Sequence, residues 1–138
     1  MKLATLAAAS ILIVLAACAA TAPDTAKNPP NAQLLNAATA LERNARVLAQ
    51  RAGTIGSGFA QDADELLSHA SEFRAALASG RGSADDLQAY FDQLTSSYDS
   101  LRSDAKTLDT TMAHSAVALV SGPYQDVAAH MNASHPGL

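Results

Sequence analysis

The sequence predicts an all-α protein, a small antiparallel helical bundle of three long helices and a kinked C-terminal helix. Its 7 glycines and 5 prolines in 138 residues are confined to a few places, a composition that favours helix. Apolar residues recur at alternating spacings of four and three, which is the period of one helix face. Short glycine-containing segments separate these regions, and such connections make neighbouring helices antiparallel.

The first helix is predicted from about residue 31 to residue 52. Its apolar stripe consists of Leu34, Ala38, Leu41, Ala45, Leu48 and Ala52. Glu42 and Arg46 are four residues apart and are expected to form a supporting ion pair on the other, exposed face. Gly53 follows the stripe and is predicted to cap the helix, and a loop is expected over residues 54–58.

The second helix is predicted from about residue 59 to residue 79. Its stripe consists of Phe59, Ala63, Leu66, Ala70, Phe73 and Leu77. Asp62, Asp64 and Glu65 lie in the first turns, where the helix dipole favours negative charge. The glycines of residues 80–82 are expected to end it.

The third helix has the clearest start, because residues 83–86 match the Ser-x-x-acid capping signal. Its predicted stripe continues without a break and consists of Leu87, Phe91, Leu94, Tyr98, Leu101, Ala105, Leu108 and Met112. A connection of about four residues makes the second and third helices an antiparallel hairpin.

Two arrangements are open for the end of the bundle, where Pro123 disfavours a helical residue before it. In the favoured arrangement the third helix stops near residues 110–111 and a fourth begins near Ala113, kinked at Pro123. In the other, Ser121 caps a separate final helix over residues 123–132. The bundle is predicted over residues 31–133, followed by a frayed tail over residues 134–138.

The first 18 residues show a pattern that is typical of export. Lys2 precedes an apolar run over residues 3–17, which is too short to span a bilayer comfortably as a finished helix. The run ends in Leu15-Ala16-Ala17-Cys18, so the segment has the basic start, apolar stretch and small-residue exit of a secretory signal. It resembles the bacterial lipoprotein signal peptide, whose lipobox ends in a cysteine that is lipidated and becomes the first residue of the mature protein.

The resemblance implies a signal peptide over residues 1–17 and a membrane anchor through lipid on Cys18. Each buried methylene of an acyl chain adds roughly 0.8 kcal/mol, so two or three chains hold the protein stably. Ala19 follows the cysteine, which by the same resemblance favours the outer membrane, facing the periplasm, in a host with two membranes. The alternatives are a transmembrane anchor with an incidental thiol, or an ordinary cleaved signal.

Residues 18–30 are predicted to be the lipidated N-terminus and a flexible tether. This stretch is small and polar and ends in Asn28-Pro29-Pro30, so it has little apolar surface to bury. Cys18 is the only cysteine, which excludes structural disulfides.

Composition narrows the function of the mature chain. Loss of residues 1–17 removes Lys2, which moves the formal net charge from -4 to -5. The sequence contains no basic patch, so nucleic acid is not expected as a partner. No tryptophan is present and aromatic residues make up 4%, which argues against a large aromatic-lined pocket, and no small-molecule substrate is identified.

Histidine and methionine provide the main candidates for a metal site. A helical bundle can hold haem between two such residues, and histidine and thioether ligands suit copper. The weak candidates are His130, Met131 and His135, near the end of the chain. Adjacent residues on a helix point about 100° apart, so His130 and Met131 make a poor pair, and no cofactor is predicted.

No reactive constellation points to an enzyme. The serines of the third helix are expected on its outer face, and none lies in a Gly-x-Ser-x-Gly elbow; they are Ser96, Ser97, Ser100 and Ser103. The favoured function is therefore a non-catalytic bundle that binds an envelope protein or supports the envelope. The alternatives are a periplasmic haem- or copper-binding bundle and, last, an envelope hydrolase.

Overall fold

The computed structural model describes residues 30–134, which form four α-helices and contain no strand. These helices are α1 (Pro30–Ala52), α2 (Ser57–Ser79), α3 (Ala84–Leu108) and α4 (Thr111–Ser134). The predicted all-α class is confirmed, and the starts of the first three helices differ by at most two residues from the prediction. The predicted signal peptide, nearly all of the tether and residues 135–138 lie outside the described residues.

The helices pack as a ring in chain order. Among the described elements, α1 contacts α2 and α4, and α3 contacts the same two helices, with no close approach across either diagonal. The connections are residues 53–56, 80–83 and 109–110, so each helix runs antiparallel to the next. The start of α1, the end of α4 and the α2–α3 turn therefore share one end of the bundle.

The predicted stripes form the core of this ring. All six stripe residues of α1 are buried, as are five of the six in α2, and Leu77 is half-buried. In α3, residues Phe91 to Ala105 of the stripe are buried. The apolar period therefore identified the inward faces of these helices.

The prediction of an unbroken stripe through Leu108 and Met112 is wrong. Leu108 is 39% exposed and Met112 is 57% exposed. The cause is Asp109, whose φ of 45° ends α3 in a left-handed turn and redirects the chain before α4 begins. Met112 consequently lies in the first turn of α4, outside the core.

The contacts between helices use side chains of different sizes. The alanines on the inward faces of α1 and α2 are almost completely buried, and they let the backbones approach closely; they are Ala38, Ala45, Ala52, Ala63 and Ala70. Aromatic rings occupy the contact between α3 and α4 instead. Tyr98 and Tyr124 stack with ring centroids 4.0 Å apart, and Phe91 stacks on Tyr124 at 6.2 Å.

The ends of the inner helices follow local capping rules. The predicted capping box is confirmed, because the amide of Asp86 donates to Ser83 Oγ at 3.1 Å and the amide of Ser83 donates to Asp86 Oδ2 at 2.9 Å. Gly80, with φ of 59°, ends α2 in the left-handed conformation. Gly53 does not adopt that conformation, so its predicted cap is wrong, and a turn over residues 53–55 closes α1 instead.

The fourth helix runs through Pro123 as one element. Its predicted start near Ala113 is two residues late, because Thr110 Oγ1 accepts the amide of Ala113 and the helix begins at Thr111. The alternative of a separate helix capped by Ser121 is wrong. Proline has no N–H for the carbonyl of Leu119, and Asn44 Nδ2 from α1 donates to that oxygen at 2.8 Å.

Glu42 departs from its predicted exposed position. Its Oε1 accepts from Arg46 at 2.8 Å, as expected for an i,i+4 pair. Only 9% of the residue is exposed, however, because position 42 lies on the side of the α1 stripe that α2 covers. Arg74 and Ser71 of α2 bind the same carboxylate, with Ser71 Oγ at 3.3 Å.

Within residues 30–134, no helix combines the length and the hydropathy that a membrane-spanning segment requires.

Candidate functional site

An open groove lies between the last turns of α1 and the first turns of α4. Its volume is about 520 Å³. Leu48 and Ile55 line one side, while Met112, Ala116 and Leu119 line the other. Leu48 and Ala116 are the buried members of this lining.

The apolar wall of the groove is partly exposed to solvent. Met112 is more than half exposed, and Ile55 and Leu119 are half-buried. Methionine is flexible and polarisable and adapts to different apolar partners. The groove therefore offers an apolar surface that another molecule can cover.

Arg51 is the charged residue of this groove. It lies at the lining of the groove and forms no ion pair with the other residues of the described segment 30–134. Its guanidinium presents five donors, which suit a carboxylate. Since α1 begins at Pro30, the groove is at the end of the bundle opposite to the point where the chain enters.

A second groove, of about 480 Å³, lies between α3 and α4 and is polar. Arg102 lies 3.7 Å from Asp99, and its guanidinium carbon lies 5.7 Å from the ring centroid of Tyr98. His114 Nε2 lies 3.2 Å from Asp109 Oδ1. Charges of both signs are interleaved here, so this groove has no clear preference for a cation or an anion.

His69 and Ser97 form a close contact between α2 and α3. His69 Nδ1 lies 2.5 Å from Ser97 Oγ, and Ser97 Oγ also donates to the carbonyl of Gln93 at 3.2 Å. With that hydrogen committed to the carbonyl, His69 Nδ1–H is the donor to the serine oxygen. The serine is only 4% exposed, so this contact lies in the interface between the two helices.

The sequence prediction missed this pair, and the expectation that Ser97 lies on the outer face is wrong. A signal was present, because positions 69 and 97 are equally distant from Ser83 at the turn of the predicted hairpin. Antiparallel register alone would have placed the two side chains opposite each other.

Two carboxylates approach each other near the start of α2. Burial raises the pKa of Asp62, and the neighbouring carboxylates Asp104 and Glu65 raise it further. The backbone of Gly58 contributes to this closeness, since a Cβ at Gly58 would lie 3.3 Å from Asp104 Oδ2. When both carboxylates are ionised, their repulsion weakens the contact between α2 and α3.

The predicted metal candidates occupy different environments. His130 Nδ1 contacts the carbonyl of Asp126 at 2.7 Å within α4, whereas Met131 is 2% exposed and packs in the core. His135 lies outside the described residues. Within residues 30–134, no group of three or more histidine, cysteine, aspartate and glutamate side chains is placed to hold a metal ion.

The predicted lipidation site also lies outside the described residues. This applies to Cys18 and to the lipobox residues Leu15, Ala16 and Ala17.

Comparisons with known proteins do not assign the chain to a family. The chain matches no protein-family model, no curated protein sequence and no solved structure. The described residues define an all-α, up-down-up-down bundle with an apolar groove at one end.

Proposed function

We propose that this protein is a bacterial lipoprotein of the cell envelope and that its bundle is a non-catalytic module that binds an envelope protein. The anchor rests on the lipobox-like segment Leu15-Ala16-Ala17-Cys18. The binding function rests on one observation of the structure, the open apolar groove between α1 and α4.

The partner that suits this groove is an amphipathic helix with an acidic residue. Two antiparallel helices flank the groove, and such grooves take the apolar face of a third helix. A carboxylate beside that apolar face would meet Arg51, whose positive charge is otherwise unpaired in residues 30–134. Shape and charge thus favour the same class of partner.

The strength of this contact is set by the small area of the groove. Full burial of one leucine or phenylalanine side chain contributes about 1.5–3 kcal/mol, so one or two anchors give a weak, transient complex. Confinement of both proteins to one membrane would raise their effective concentration and make such a weak contact productive. The anchor and the groove therefore support each other in this function.

The anchor is tested by the substitution Cys18→Ser and by intact mass. The unsubstituted chain is expected in the membrane fraction, lacking residues 1–17 and heavier than the bare polypeptide by its acyl chains. Cys18→Ser is expected to lose the acyl mass and the membrane association. A membrane-free chain that retains Met1 would contradict the anchor.

The groove is tested separately by photocrosslinking in intact cells. A photoreactive residue at Ser115, beside the groove, is expected to give a discrete adduct with another envelope protein, whereas the same residue at the exposed Ser100 of α3 is not. Met112→Glu places a carboxylate in the groove and is expected to abolish the adduct.

Leu108→Glu is the matched control, because Leu108 is also an exposed apolar residue but does not line the groove. Glutamate at position 112 lies in the first turn of α4, where negative charge stabilises a helix, so the fold is retained. An adduct that survives Met112→Glu, or an absence of any adduct at Ser115, would contradict binding at the groove and leave the anchor unaffected.

A further inference from the structure

Little apolar surface anchors the first eight residues of α4, which are residues 111–118. Ala113 and Ala116 are the buried residues of this segment, and each of them buries a single methyl group. Val117 is partly buried. The rest of the helix buries larger side chains, which are Val120, Val127 and Met131. Because a segment with few buried apolar groups opens locally at a low free energy, the first part of α4 is held less firmly than the second.

Open grooves border this segment on two sides. Met112 and Ala116 line the apolar groove toward α1. His114 and Val117 line the polar groove toward α3. Among the neighbouring helices of the described ring, α3 and α4 also approach each other least closely. Residues 111–118 therefore have unfilled space on both flanks.

Within residues 30–134, no hydrogen bond joins residues 111–118 to another helix. The amide of Ala113 donates to Thr110 Oγ1, and His114 Nε2 lies 3.2 Å from Asp109 Oδ1, but both partners belong to the turn before α4. The hydrogen bonds from α4 to α1 and α3 lie further along the helix, at Leu119, Ser121 and Tyr124. The first two turns of α4 thus lack the polar contacts that fix the position of the later turns.

Both ends of the segment adjoin a break in the regular helix. Before it, Asp109 has a φ of 45° and separates α4 from α3. After it, Pro123 supplies no N–H to the carbonyl of Leu119, and the preceding Gly122 has no Cβ to crowd the proline ring. Proline is one of the few causes of a sharp bend in a helix. The segment can therefore move as one unit between these two points.

We propose that residues 111–118, called here the α4 gate, move outward about the turn at Asp109 and the Gly122–Pro123 step, and so open this end of the bundle. Outward movement joins the two grooves into one cleft between α1 and α3. It uncovers Leu48 and Ala105, which are buried where they line the closed grooves.

The open cleft is the form of the site that accepts the partner helix, a role that rests on the proposed function. Because the partner binds only open molecules, its apparent affinity is reduced by the fraction of molecules that are open. The hydrogen bond from Asn44 to the carbonyl of Leu119 opposes the movement, since it holds the turn beside the hinge against α1. This bond therefore regulates how often the site is open.

Amide hydrogen exchange of the full chain in detergent, measured by NMR, tests the gate. Residues 115–118 of α4 and residues 61–64 of α2 are the fifth to eighth residues of helices that begin at the same end of the bundle. After correction for intrinsic rates, the gate amides are expected to exchange at least tenfold faster than the α2 amides. Equal protection of the two segments would overturn the gate.

Two variants separate local opening of the gate from global unfolding. Asn44→Ala removes the bond that opposes the movement and is expected to speed the exchange of residues 115–118 several-fold. Ala40→Gly, on the exposed face of α1, is the matched control, because it weakens a helix that does not belong to the gate. It is expected to leave the exchange of the gate amides unchanged.

The same acceleration of the gate amides in both variants would show that these amides exchange only by global unfolding, which contradicts the gate. No acceleration in Asn44→Ala would contradict the regulation by this hydrogen bond. The measurement contains no partner, so its failure is distinct from a failure of the proposed function, which the adduct at Ser115 tests.

Discussion

The carbonyl oxygen of Leu119 would have no partner within α4, because Pro123 lacks an N–H. Asn44 supplies the missing donor from α1 at 2.8 Å. A partly buried carbonyl without a partner destabilises the fold, so this hydrogen bond offsets part of the cost of the proline within the helix. The same hydrogen bond also fixes the position of α4 along α1.

We expect Asn44→Ala to lower the free energy of unfolding by about 1 kcal/mol, the usual net contribution of one hydrogen bond, because the acceptor is only partly buried. In a Pro123→Ala background the alanine N–H serves the same carbonyl, so the cost of Asn44→Ala should become much smaller. Urea unfolding of the four chains of this double-mutant cycle measures the coupling. Equal costs in the two backgrounds would show that Asn44 does not compensate for the proline.

The ionised carboxylate of Asp62 destabilises the fold, whereas a carboxylate in a salt bridge stabilises it. Burial, followed by the charges of Asp104 and Glu65, raises its pKa in the folded state. A carboxyl group with a raised folded pKa favours folding at low pH, and this contribution is lost as the pH rises through the folded value. At neutral pH the ionised group therefore opposes folding.

We expect Asp62→Asn to raise the free energy of unfolding at pH 7, and we expect this gain to shrink as the pH falls through the raised folded pKa and to disappear below the ordinary value of 3.8 for an aspartate. Chemical unfolding between pH 3 and pH 7 measures the trend. Asp64→Asn, on the exposed side of the same helix, is the control for loss of a charge. A gain that is independent of pH would rule out this electrostatic origin.

At the scale of elements, the α3–α4 contact is held by reciprocal tyrosines. Tyr124 of α4 donates its hydroxyl hydrogen to Thr95 Oγ1 of α3 at 3.0 Å, and Tyr98 of α3 bonds to Ser121 Oγ of α4 at 2.8 Å. Their rings stack between these two bonds. Each ring thus fills space while its hydroxyl group fixes the register of the two helices.

We expect Tyr124→Phe to keep the stacked ring and to lose one hydrogen bond, at a cost of about 1 kcal/mol. Tyr90→Phe is the control, since Tyr90 is exposed on the same pair of elements and has no hydrogen-bond partner in residues 30–134. Thermal or urea unfolding compares the two variants. A Tyr124→Phe variant as stable as Tyr90→Phe would show that the stacked rings alone hold the contact.

At the scale of the whole molecule, the four helices close into a ring because α1 approaches both of its neighbours closely. Ala45 is fully buried in the middle of α1, and its small side chain sets the spacing of the core at that level. The interior of a protein is packed too densely to accept extra methylenes without a shift of the backbone.

We expect Ala45→Leu to lower the free energy of unfolding by about 1–3 kcal/mol through overpacking. Ala40→Leu, on the exposed face of the same helix, should stay within about 0.5 kcal/mol of the unsubstituted chain. Urea unfolding followed by circular dichroism checks both. A more stable Ala45→Leu variant would mean that the core has unfilled space at this position.

The number, order and inward faces of the helices were determined by the sequence. These properties depend on residues within about four positions of one another, through helix propensity, the apolar period and caps such as the Ser83–Asp86 box. Such local interactions can be predicted from the sequence. The break after Leu108 was missed because the left-handed turn at Asp109 interrupts a period that the sequence continues.

Only the tertiary structure decided which side chains meet between helices. The bond from Asn44 to Leu119 joins positions 75 residues apart, and the contacts of Glu42 with Arg74 and of His69 with Ser97 depend on the rotation of each helix about its axis. The open groove between α1 and α4 has the same origin, since it depends on two helices that are far apart in sequence becoming neighbours. The local apolar period specifies which face of a helix is apolar. Which other helix packs against that face depends on the packing of all four helices together.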